Sequence, residues 1–222
     1  MRTVIITGAS DGLGKELARI CIEDKIQVIN ISRSPCDLKE VINIKCDLAI
    51  ESDIINAVNS IKQKHPMFDA FVNCAGVITH EGKNKDAYPE LERVIKVNTL
   101  APMFLTSQLF DLIKKNGADV VNVGSTAGIK GTNSGIYGTS KWALRGVSEN
   151  LRLELSGTPC RVVQFNPSGI GTKLFREYHG RDKDSPENWM NPKDVASIIL
   201  FALKLPKRIE LSELIVNRKP RS

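Results

Sequence analysis

Three side chains in the second half of the sequence are of the types that proton transfer at a carbonyl group requires: Ser125, Tyr137 and Lys141. Tyr137 and Lys141 are four residues apart, so on a helix they lie on the same face. A phenol with a pKa of about 10 is a poor acid or base at neutral pH, and a neighbouring positive charge lowers that pKa because it favours the phenolate. Ser125 can donate a hydrogen bond to an oxygen on which negative charge develops. The spacing predicts acid–base chemistry by Tyr137 on a carbonyl or an alcohol.

A glycine-rich segment, Thr7–Gly14, follows the first apolar run of the chain and precedes a helical pattern. A strand, a glycine-rich turn and a helix N-terminus together form an anion site, because the glycines let the backbone approach a pyrophosphate and the helix end presents free N–H groups. The glycines do not have the GxGxxG spacing of the Rossmann fingerprint, so a purely structural turn is the alternative. The position after the first strand favours a dinucleotide site. Its candidate binding residues are Gly8, Ser10, Asp11, Gly12, Leu13 and Gly14.

The end of the second apolar run indicates which dinucleotide binds. An acidic residue there would hold the 2′-hydroxyl of NAD, whereas an arginine accommodates the 2′-phosphate of NADP. The run ends in Ser32 and Arg33, with no carboxylate. Arg33 can hold a phosphate through two hydrogen bonds and Ser32 can donate a further one, although an exposed loop charge is the alternative for Arg33. We therefore expect NADP as the cofactor, with NAD less favoured.

Short apolar runs alternate with longer amphipathic patterns along the chain, which predicts alternating strands and helices. The strand candidates are rich in Val and Ile and suit burial on both faces; they are Val4–Thr7, Val28–Ser32, Val41–Lys45, Ala70–Asn73, Val120–Val123, Arg161–Asn166 and Glu213–Val216. The helix candidates are Lys15–Asp24, Glu51–Lys64, Tyr88–Lys115, Tyr137–Leu155 and Pro192–Leu205. Such alternation implies parallel pairing through right-handed crossovers. We expect one α/β domain over residues 1–222, a doubly wound Rossmann fold whose mostly parallel seven-stranded sheet carries helices on both faces.

These motifs and their order resemble the short-chain dehydrogenase/reductase family over nearly the whole chain. The glycine segment reads TGxxxGxG, and Tyr137 with Lys141 reads YxxxK. The segment 73–76, Asn-Cys-Ala-Gly, resembles the NNAG segment of the family, and 167–172, Pro-Ser-Gly-Ile-Gly-Thr, resembles its PGxxxT segment. Asp47 matches the residue that contacts adenine, and Asn98 matches the fourth catalytic residue.

The resemblance implies a role for each of these residues. Tyr137 gives or takes the proton, and Lys141 holds the nicotinamide ribose and lowers the pKa of the tyrosine. Ser125 orients the carbonyl, and Asn98 holds a water in the proton relay. Each residue also has a purely structural alternative. Tyr137 could be a core aromatic and Lys141 a surface lysine. Ser125 could be a loop hydroxyl and Asn98 a polar residue that bends a helix. Beyond the glycine segment, Ser32 and Arg33, the implied cofactor-binding residues are Asp47, Leu48, Asn73, Ala75, Gly76, Tyr137, Lys141, Pro167, Ser168, Gly169, Ile170 and Thr172.

The chain departs from the family pattern at three positions. Asp11 stands where many NADP-preferring relatives have a basic residue, Cys74 replaces the second Asn of NNAG, and Ser168 replaces the Gly of the PG pair. No large C-terminal substrate domain follows, which argues against the extended branch. The end of the chain resembles 3-hydroxy acid dehydrogenases and sepiapterin reductase-like members.

The family's substrate lid corresponds to residues from about 173 to 191. Four side chains there could form an apolar wall: Phe175, Tyr178, Trp189 and Met190. Three cations could meet a substrate carboxylate, although solvated charge explains them equally well: Lys173, Arg176 and Arg181. Family members pair through the helices that match Tyr88–Lys115 and Tyr137–Leu155, so we expect a homodimer or a homotetramer. A non-catalytic NADP-sensing regulator is the alternative function.

Composition excludes few classes of protein. Hydrophobic residues make up 41% and charged residues 25% of the chain, as in ordinary globular proteins. We expect no membrane partner, because no apolar run approaches the roughly 20 residues that span a bilayer. The chain enters an apolar strand at once, without the pattern of a signal peptide, so we expect a cytoplasmic protein. The five cysteines form no CxxC pair, so we expect no metal site. The net charge of +6 is scattered and an anionic cofactor accounts for it, so we expect no nucleic-acid partner.

Overall fold

A computed structural model of the chain describes residues 2–79, 87–131, 135–175 and 189–219. Its centre is a seven-stranded sheet with the order β3-β2-β1-β4-β5-β6-β7, and every neighbouring pair is parallel. The strand order changes direction between β1 and β4, which is the point where open α/β sheets form a crevice at the carboxyl ends of their strands. The strands are β1 Thr3–Thr7, β2 Gln27–Ser32, β3 Val41–Lys45, β4 Ala70–Asn73, β5 Asp119–Val123, β6 Val162–Pro167 and β7 Glu213–Val216.

Helices cover both faces of the sheet. Helices α1 and α7 bury Leu17 and Ile199 in the core on one face, and α2, α4, α5 and α6 bury residues such as Ile61, Leu105 and Leu151 in the core on the other. The helices are α1 Gly12–Glu23, α2 Glu51–Lys64, α3 Tyr88–Ile95, α4 Ala101–Gln108, α5 Phe110–Asn116, α6 Gly135–Glu154 and α7 Pro192–Lys204. A π-helical turn, Lys96–Leu100, joins α3 to α4, and a 3₁₀ turn, Thr126–Gly128, precedes α6.

The fold class predicted from the sequence is confirmed, but the single predicted helix Tyr88–Lys115 is wrong. The structure divides it into α3, the π turn, α4 and α5. Pro102 lies in the first turn of α4 and has no N–H, so it cannot make the ordinary helical bond to the carbonyl of Asn98, four residues earlier. The N–H of Ala101 bonds instead to the carbonyl of Lys96, which is π-helical pairing. Leu109, with φ −99° and ψ 3°, then separates α4 from α5.

A buried ion pair closes the base of the sheet, at the amino ends of β5 and β6. The Arg161 guanidinium donates to both carboxylate oxygens of Asp119, at 3.0 and 2.6 Å. It also donates to main-chain carbonyls at and after the end of α7: Leu203, Leu205, Pro206 and Ile209. A buried charge is costly unless it is fully hydrogen-bonded, and these carbonyls meet that need. The pair ties α7 to the end of the sheet opposite the crevice.

A row of polar side chains, buried except for the partly exposed Glu213, links β4, β5, β6 and β7 by way of Ser148 on α6. The bonds between them are 2.6–2.8 Å long, and each residue donates to the next in the order Asn73, Asn122, Ser148, Gln164, Asn166 and Glu213. The Glu213 carboxylate at the end of the row accepts two further bonds from the Arg145 guanidinium on α6, at 2.8 and 3.0 Å. The last acceptor is therefore an anion paired with a cation.

Candidate active site

A cavity of about 750 Å³ opens at the carboxyl ends of the central strands. Ser125, Tyr137 and Lys141 line one part of it. Most of the predicted cofactor residues line the rest: Gly8, Ser10, Asp11, Gly12, Leu13, Gly14, Ser32, Arg33, Asp47, Leu48, Ala75, Gly76, Pro167, Ser168, Gly169, Ile170 and Thr172. Asn73 and Asn98 are buried and are not among the lining residues. The structure thus brings all the predicted catalytic and cofactor residues except Asn73 and Asn98 to the lining of one cavity.

The glycine segment forms a tight cradle between β1 and α1. Gly8 has φ +78°, and a Cβ there would lie 2.9 Å from the Cα of Ala75. A Cβ on Gly14 would lie only 2.4 Å from the carbonyl oxygen of Gly8, so this glycine lets the helix pack against the turn. The Asp11 carboxylate caps α1 by accepting from the N–H of Gly12 at 2.7 Å. Exposed backbone at a helix N-terminus suits the phosphates of a dinucleotide.

The end of β2 offers one available phosphate donor. The Ser32 hydroxyl donates to the carbonyl of Ser34 at 2.6 Å and accepts from the Asn30 amide at 2.8 Å. Since a hydroxyl has only one proton, Ser32 does not offer that proton to a ligand in this arrangement. Arg33 is exposed and lines the cavity. Of the two residues predicted to bind a 2′-phosphate, Arg33 is the one whose side chain is exposed at the cavity.

Lys141 and Ser125 approach Tyr137 from two sides. The buried Lys141 ammonium lies 5.7 Å from the centre of the Tyr137 ring and donates to the carbonyl of Val123 at 2.8 Å. The Ser125 side chain lies close enough to the Tyr137 phenol to lower its pKa through hydrogen bonding. The Ser125 oxygen accepts from the N–H of Ala127 at 3.1 Å, which fixes the hydroxyl at the start of the 3₁₀ turn. The three side chains lie together at one part of the cavity.

The electrostatics of this group differ from the expectation. The sequence predicts a lowered pKa for Tyr137, but burial raises the pKa, and the hydrogen bond with Ser125 only partly offsets this. The reason is that the partly buried phenol is less well solvated than in water, while the Lys141 ammonium bonds to a carbonyl and not to the phenol. Burial also lowers the pKa of Lys141 to about 8. The phenol therefore holds its proton at neutral pH, and the amine titrates close to neutrality.

Asn98 lies within the π turn and is fully bonded to its neighbours. Its amide oxygen accepts from the N–H of Val77 at 2.8 Å, and its amide nitrogen donates to the carbonyl of Val77 at 2.9 Å and to the Ser140 hydroxyl at 3.0 Å. A Cβ on Gly76 would lie 3.6 Å from the Asn98 amide oxygen and 3.7 Å from the Lys141 nitrogen. The Asn98 side chain thus joins the segment after β4 to α6 behind the cavity.

The loop after β6 is fixed on both sides. Met190 donates its N–H to the carbonyl of Gly169 at 3.1 Å and accepts from the N–H of Gly171 at 3.0 Å. A Cβ on Gly169 would lie 2.4 Å from the Trp189 ring, so only glycine fits there. The Ser168 hydroxyl, where the family has glycine, accepts from the N–H of Arg218 at 2.9 Å. This substitution therefore attaches the loop to the segment after β7.

The predicted lid is described only at its two ends. Lys173 and Phe175 line the cavity, and the Phe175 ring packs edge-on against Trp189 with centroids 4.5 Å apart. Arg176, Tyr178 and Arg181 lie outside the described residues. The described parts of the lid therefore present one cation and one aromatic ring to the cavity.

Several lining residues carried no signal in the sequence. They are Ile78, Arg93, Val97 and Val123, among others. Arg93 looks like an ordinary charge on an amphipathic helix, and only the fold shows that its guanidinium lies 3.4 Å from the Asp47 carboxylate, 46 positions away. No local pattern identifies such a pair.

The architecture is that of a doubly wound, Rossmann-type α/β protein with a glycine cradle at the switch point of its sheet. A family model described as short chain dehydrogenase matches residues 2–183, and the chain belongs to this family. It is an oxidoreductase of that type. In the part of the chain that the structure describes, no helix combines the length and the apolar character needed to cross a membrane.

Known proteins resemble the chain over almost its full length. Human dehydrogenase/reductase SDR family member 11 is 23% identical over 240 residues, covering 96% of this chain and 92% of its own. The closed form of a serine dehydrogenase complexed with NADP+ has a TM-score of 0.87 at 24% identity, covering 96% of this chain and 94% of its own. A 4-hydroxyisoleucine dehydrogenase complexed with NADH has a TM-score of 0.87 at 22% identity, covering 98% and 97%. The structural likenesses establish the fold.

Proposed function

We propose that the protein binds NADP(H) and transfers a hydride between the nicotinamide ring and a carbonyl/alcohol substrate, with Tyr137 as the general acid and base. The observation that carries this proposal is that Ser125, Tyr137 and Lys141 line the same cavity as the glycine cradle. Such a reaction needs backbone N–H groups close to the phosphates of the cofactor, which the glycine cradle offers. It also needs a proton donor at the other part of the cavity, which Tyr137 offers.

The chain's own residues handle the proton and the charge on oxygen. The glycine cradle and Arg33 would hold NADPH, which would supply the hydride for the carbonyl carbon, or NADP+, which would accept it in the reverse direction. The Tyr137 hydroxyl donates its proton to the carbonyl oxygen, and the raised pKa keeps that proton in place until then. The Ser125 hydroxyl donates a hydrogen bond to the same oxygen as negative charge develops. The positive charge of Lys141, whose nitrogen lies 5.7 Å from the centre of the Tyr137 ring, stabilises the phenolate that remains.

The preference for NADP rests on Arg33. Its guanidinium can hold a 2′-phosphate through two hydrogen bonds. The end of β2 has no carboxylate of the kind that binds the 2′-hydroxyl of NAD. We expect R33A to weaken NADPH binding about 10-fold or more, since hydrogen bonds to charged groups contribute about 1.5–3 kcal/mol, while NADH binding stays unchanged. Isothermal titration with both cofactors tests this. An equal loss for both cofactors would contradict the preference.

A carboxylate-bearing substrate is favoured by the wall that the lid presents. The exposed Lys173 cation and the apolar Phe175 ring both line the cavity. Two of the structurally similar proteins are named for amino-acid substrates, serine and 4-hydroxyisoleucine. The end of the chain resembles 3-hydroxy acid dehydrogenases, which act on the same functional groups. We therefore propose a small hydroxy acid or oxo acid, with residues 173–191 as the lid of a single domain.

A panel of ketones, 3-oxo acids and 3-oxoacyl thioesters, assayed by absorbance with NADPH and NADH in parallel, tests the reaction. The proposal predicts NADPH oxidation, with the oxo acids as better substrates than uncharged ketones. K173A should raise KM for the oxo acids alone. Tight binding of NADPH without oxidation across the panel would contradict the enzyme and support a cofactor-sensing regulator.

We also propose that the protein forms a homodimer or a homotetramer through α4 and α6. Leu100, Met103 and Trp142 expose about half of their surfaces, at 50, 55 and 45%, on the π turn and on these two neighbouring helices. Exposed apolar side chains that cluster in this way indicate an interface. Light scattering of the wild type and of W142E tests this, because a buried charge at the interface would shift the mass towards that of a monomer.

A further inference from the structure

Arg93 and Asp47 face each other from two different walls of the cavity. Asp47 follows β3, Arg93 lies in α3, and both line the cavity. One Arg93 nitrogen lies 3.5 and 3.4 Å from the two Asp47 carboxylate oxygens. These distances are longer than the roughly 2.7–2.9 Å of a strong charge-assisted bond. The two groups attract each other without being tightly joined.

The two partners differ in how firmly they are held. The Asp47 carboxylate accepts from the N–H of Ala49 at 3.0 Å. The main-chain N–H of Asp47 donates to the Asp53 carboxylate at 2.9 Å, so bonds to the start of α2 and to the turn before it hold Asp47 in place. The Arg93 side chain is 39% exposed and has a long flexible stem. A partly exposed pair of this kind contributes little to stability, so a ligand that enters between the groups meets a small cost.

We propose that Arg93 is a cofactor-binding residue that contacts the adenine base of the dinucleotide opposite Asp47; this inference rests on the proposed function. A guanidinium is flat and delocalised, which suits contact with the face of an aromatic ring. Its charge also offsets the Asp47 carboxylate, which would otherwise repel a cofactor that carries several phosphates. Arg93 therefore makes a site with a fixed anion compatible with an anionic ligand.

Nucleotide fragments separate this role from the alternatives. We would measure by calorimetry the binding of 5′-AMP, 2′,5′-ADP, NADPH and reduced nicotinamide mononucleotide to the wild type, R93A and R93K. R93A should weaken binding of the three adenine ligands by a similar factor, about 3- to 30-fold, and leave the mononucleotide unchanged. R93K should recover little of the loss, since an ammonium group has no flat face.

R19A is a matched control. Arg19 is 42% exposed, pairs with Glu16 at 3.4 Å as Arg93 pairs with Asp47 at 3.4 Å, and is not a lining residue of the cavity. It should bind all four ligands as the wild type does. Thermal melting of each variant checks that it is folded. If R93A does not fold, the comparison is made with R93K.

Three results would overturn the inference. The first is that R93A and R93K bind 5′-AMP as tightly as the wild type does. The second is a loss confined to 2′,5′-ADP and NADPH, which would assign Arg93 to the 2′-phosphate. The third is an equal loss for the mononucleotide, which would indicate a general disturbance of the cavity. If the wild type binds none of the four ligands, the proposed function itself fails, and the inference fails with it.

Discussion

The Lys141 ammonium group donates a 2.8 Å hydrogen bond to the main-chain carbonyl of Val123. Val123 is the last residue of β5, and Ser125 follows two positions later. This bond therefore joins the helix that carries Tyr137 and Lys141 to the end of the strand that precedes Ser125. The positions of Ser125, Tyr137 and Lys141 relative to one another therefore depend on a bond to a main-chain carbonyl. A substitution of the Val123 side chain would leave this bond intact.

Removal of the phenol hydroxyl should abolish most turnover while the cofactor still binds. Y137F keeps the ring and loses the proton, and general acid–base catalysis contributes about 10²- to 10⁴-fold to rate. We expect kcat to fall by that factor with the Kd for NADPH unchanged. Y88F is the control, because Tyr88 is 78% exposed. Turnover of Y137F close to that of the wild type would exclude Tyr137 as the acid.

Burial of the Lys141 amine predicts a specific dependence of stability on pH. The folded-state pKa of about 8 lies below the ordinary lysine value of 10.5, so between these values the unfolded state binds more protons. The penalty for burying the charged amine is present at low pH and is relieved as pH rises from about 8 to 10.5. The free energy of unfolding of the wild type should therefore rise relative to that of K141M over this range.

Urea titrations of both proteins at several pH values measure the difference. The comparison with K141M is needed because buried thiols act in the opposite direction. Burial raises the pKa of Cys21, Cys46 and Cys74 to about 12, so above pH 9 the folded state keeps protons that the unfolded state loses. A difference between the two proteins that does not change with pH would contradict the lowered pKa of Lys141.

A side chain at Gly14 should destabilise the cradle, whereas one at Gly146 should not. In G14A the new Cβ meets the Gly8 carbonyl oxygen at 2.4 Å, and backbone cannot move aside as a flexible side chain does. We expect a loss of about 1–3 kcal/mol in the free energy of unfolding, with weaker NADPH binding. Gly146 lies within α6 with nothing within 4 Å of an added Cβ, so G146A should gain up to about 1 kcal/mol. Equal effects of the two substitutions would contradict the steric argument.

Ser148 is the link in the polar row whose loss should be most costly. Its hydroxyl accepts from Asn122 at 2.8 Å and donates to Gln164 at 2.6 Å, and all three residues are buried. S148A leaves two buried polar groups without partners, each at a cost of about 1–3 kcal/mol. We expect a total loss of about 2–5 kcal/mol by chemical denaturation. S107A, at an exposed serine of α4, should change stability little, and a similarly small effect of S148A would indicate that water replaces the hydroxyl.

The sequence predicted the elements that depend on local pattern. The end of each strand was placed within one residue, because runs of Val and Ile end where polar turns begin. Tyr137 and Lys141 were placed on one helical face because their spacing is itself helical. The continuous helix Tyr88–Lys115 is a wrong prediction because the apolar periodicity continues through the π turn, although a helix-bending role is among the alternatives for Asn98. The sequence predicts a ligand role for Ser32 from its position at the end of β2. It does not reveal the bond of its hydroxyl to the carbonyl of Ser34, because that bond depends on how the loop closes. Arg93 was missed because its partner is distant in sequence.

The polar row has a consequence for the alignment of the strands. Strands that carry only Val and Ile on both faces tolerate a slip of two residues, since such a slip keeps every side chain on its original face. In this sheet the same slip would separate Asn122 from Asn73, or Glu213 from Asn166, and leave amide groups unpaired in a medium of low dielectric constant. The directional bonds therefore fix a single register for four adjacent strands, in a region where hydrophobic burial alone would permit several.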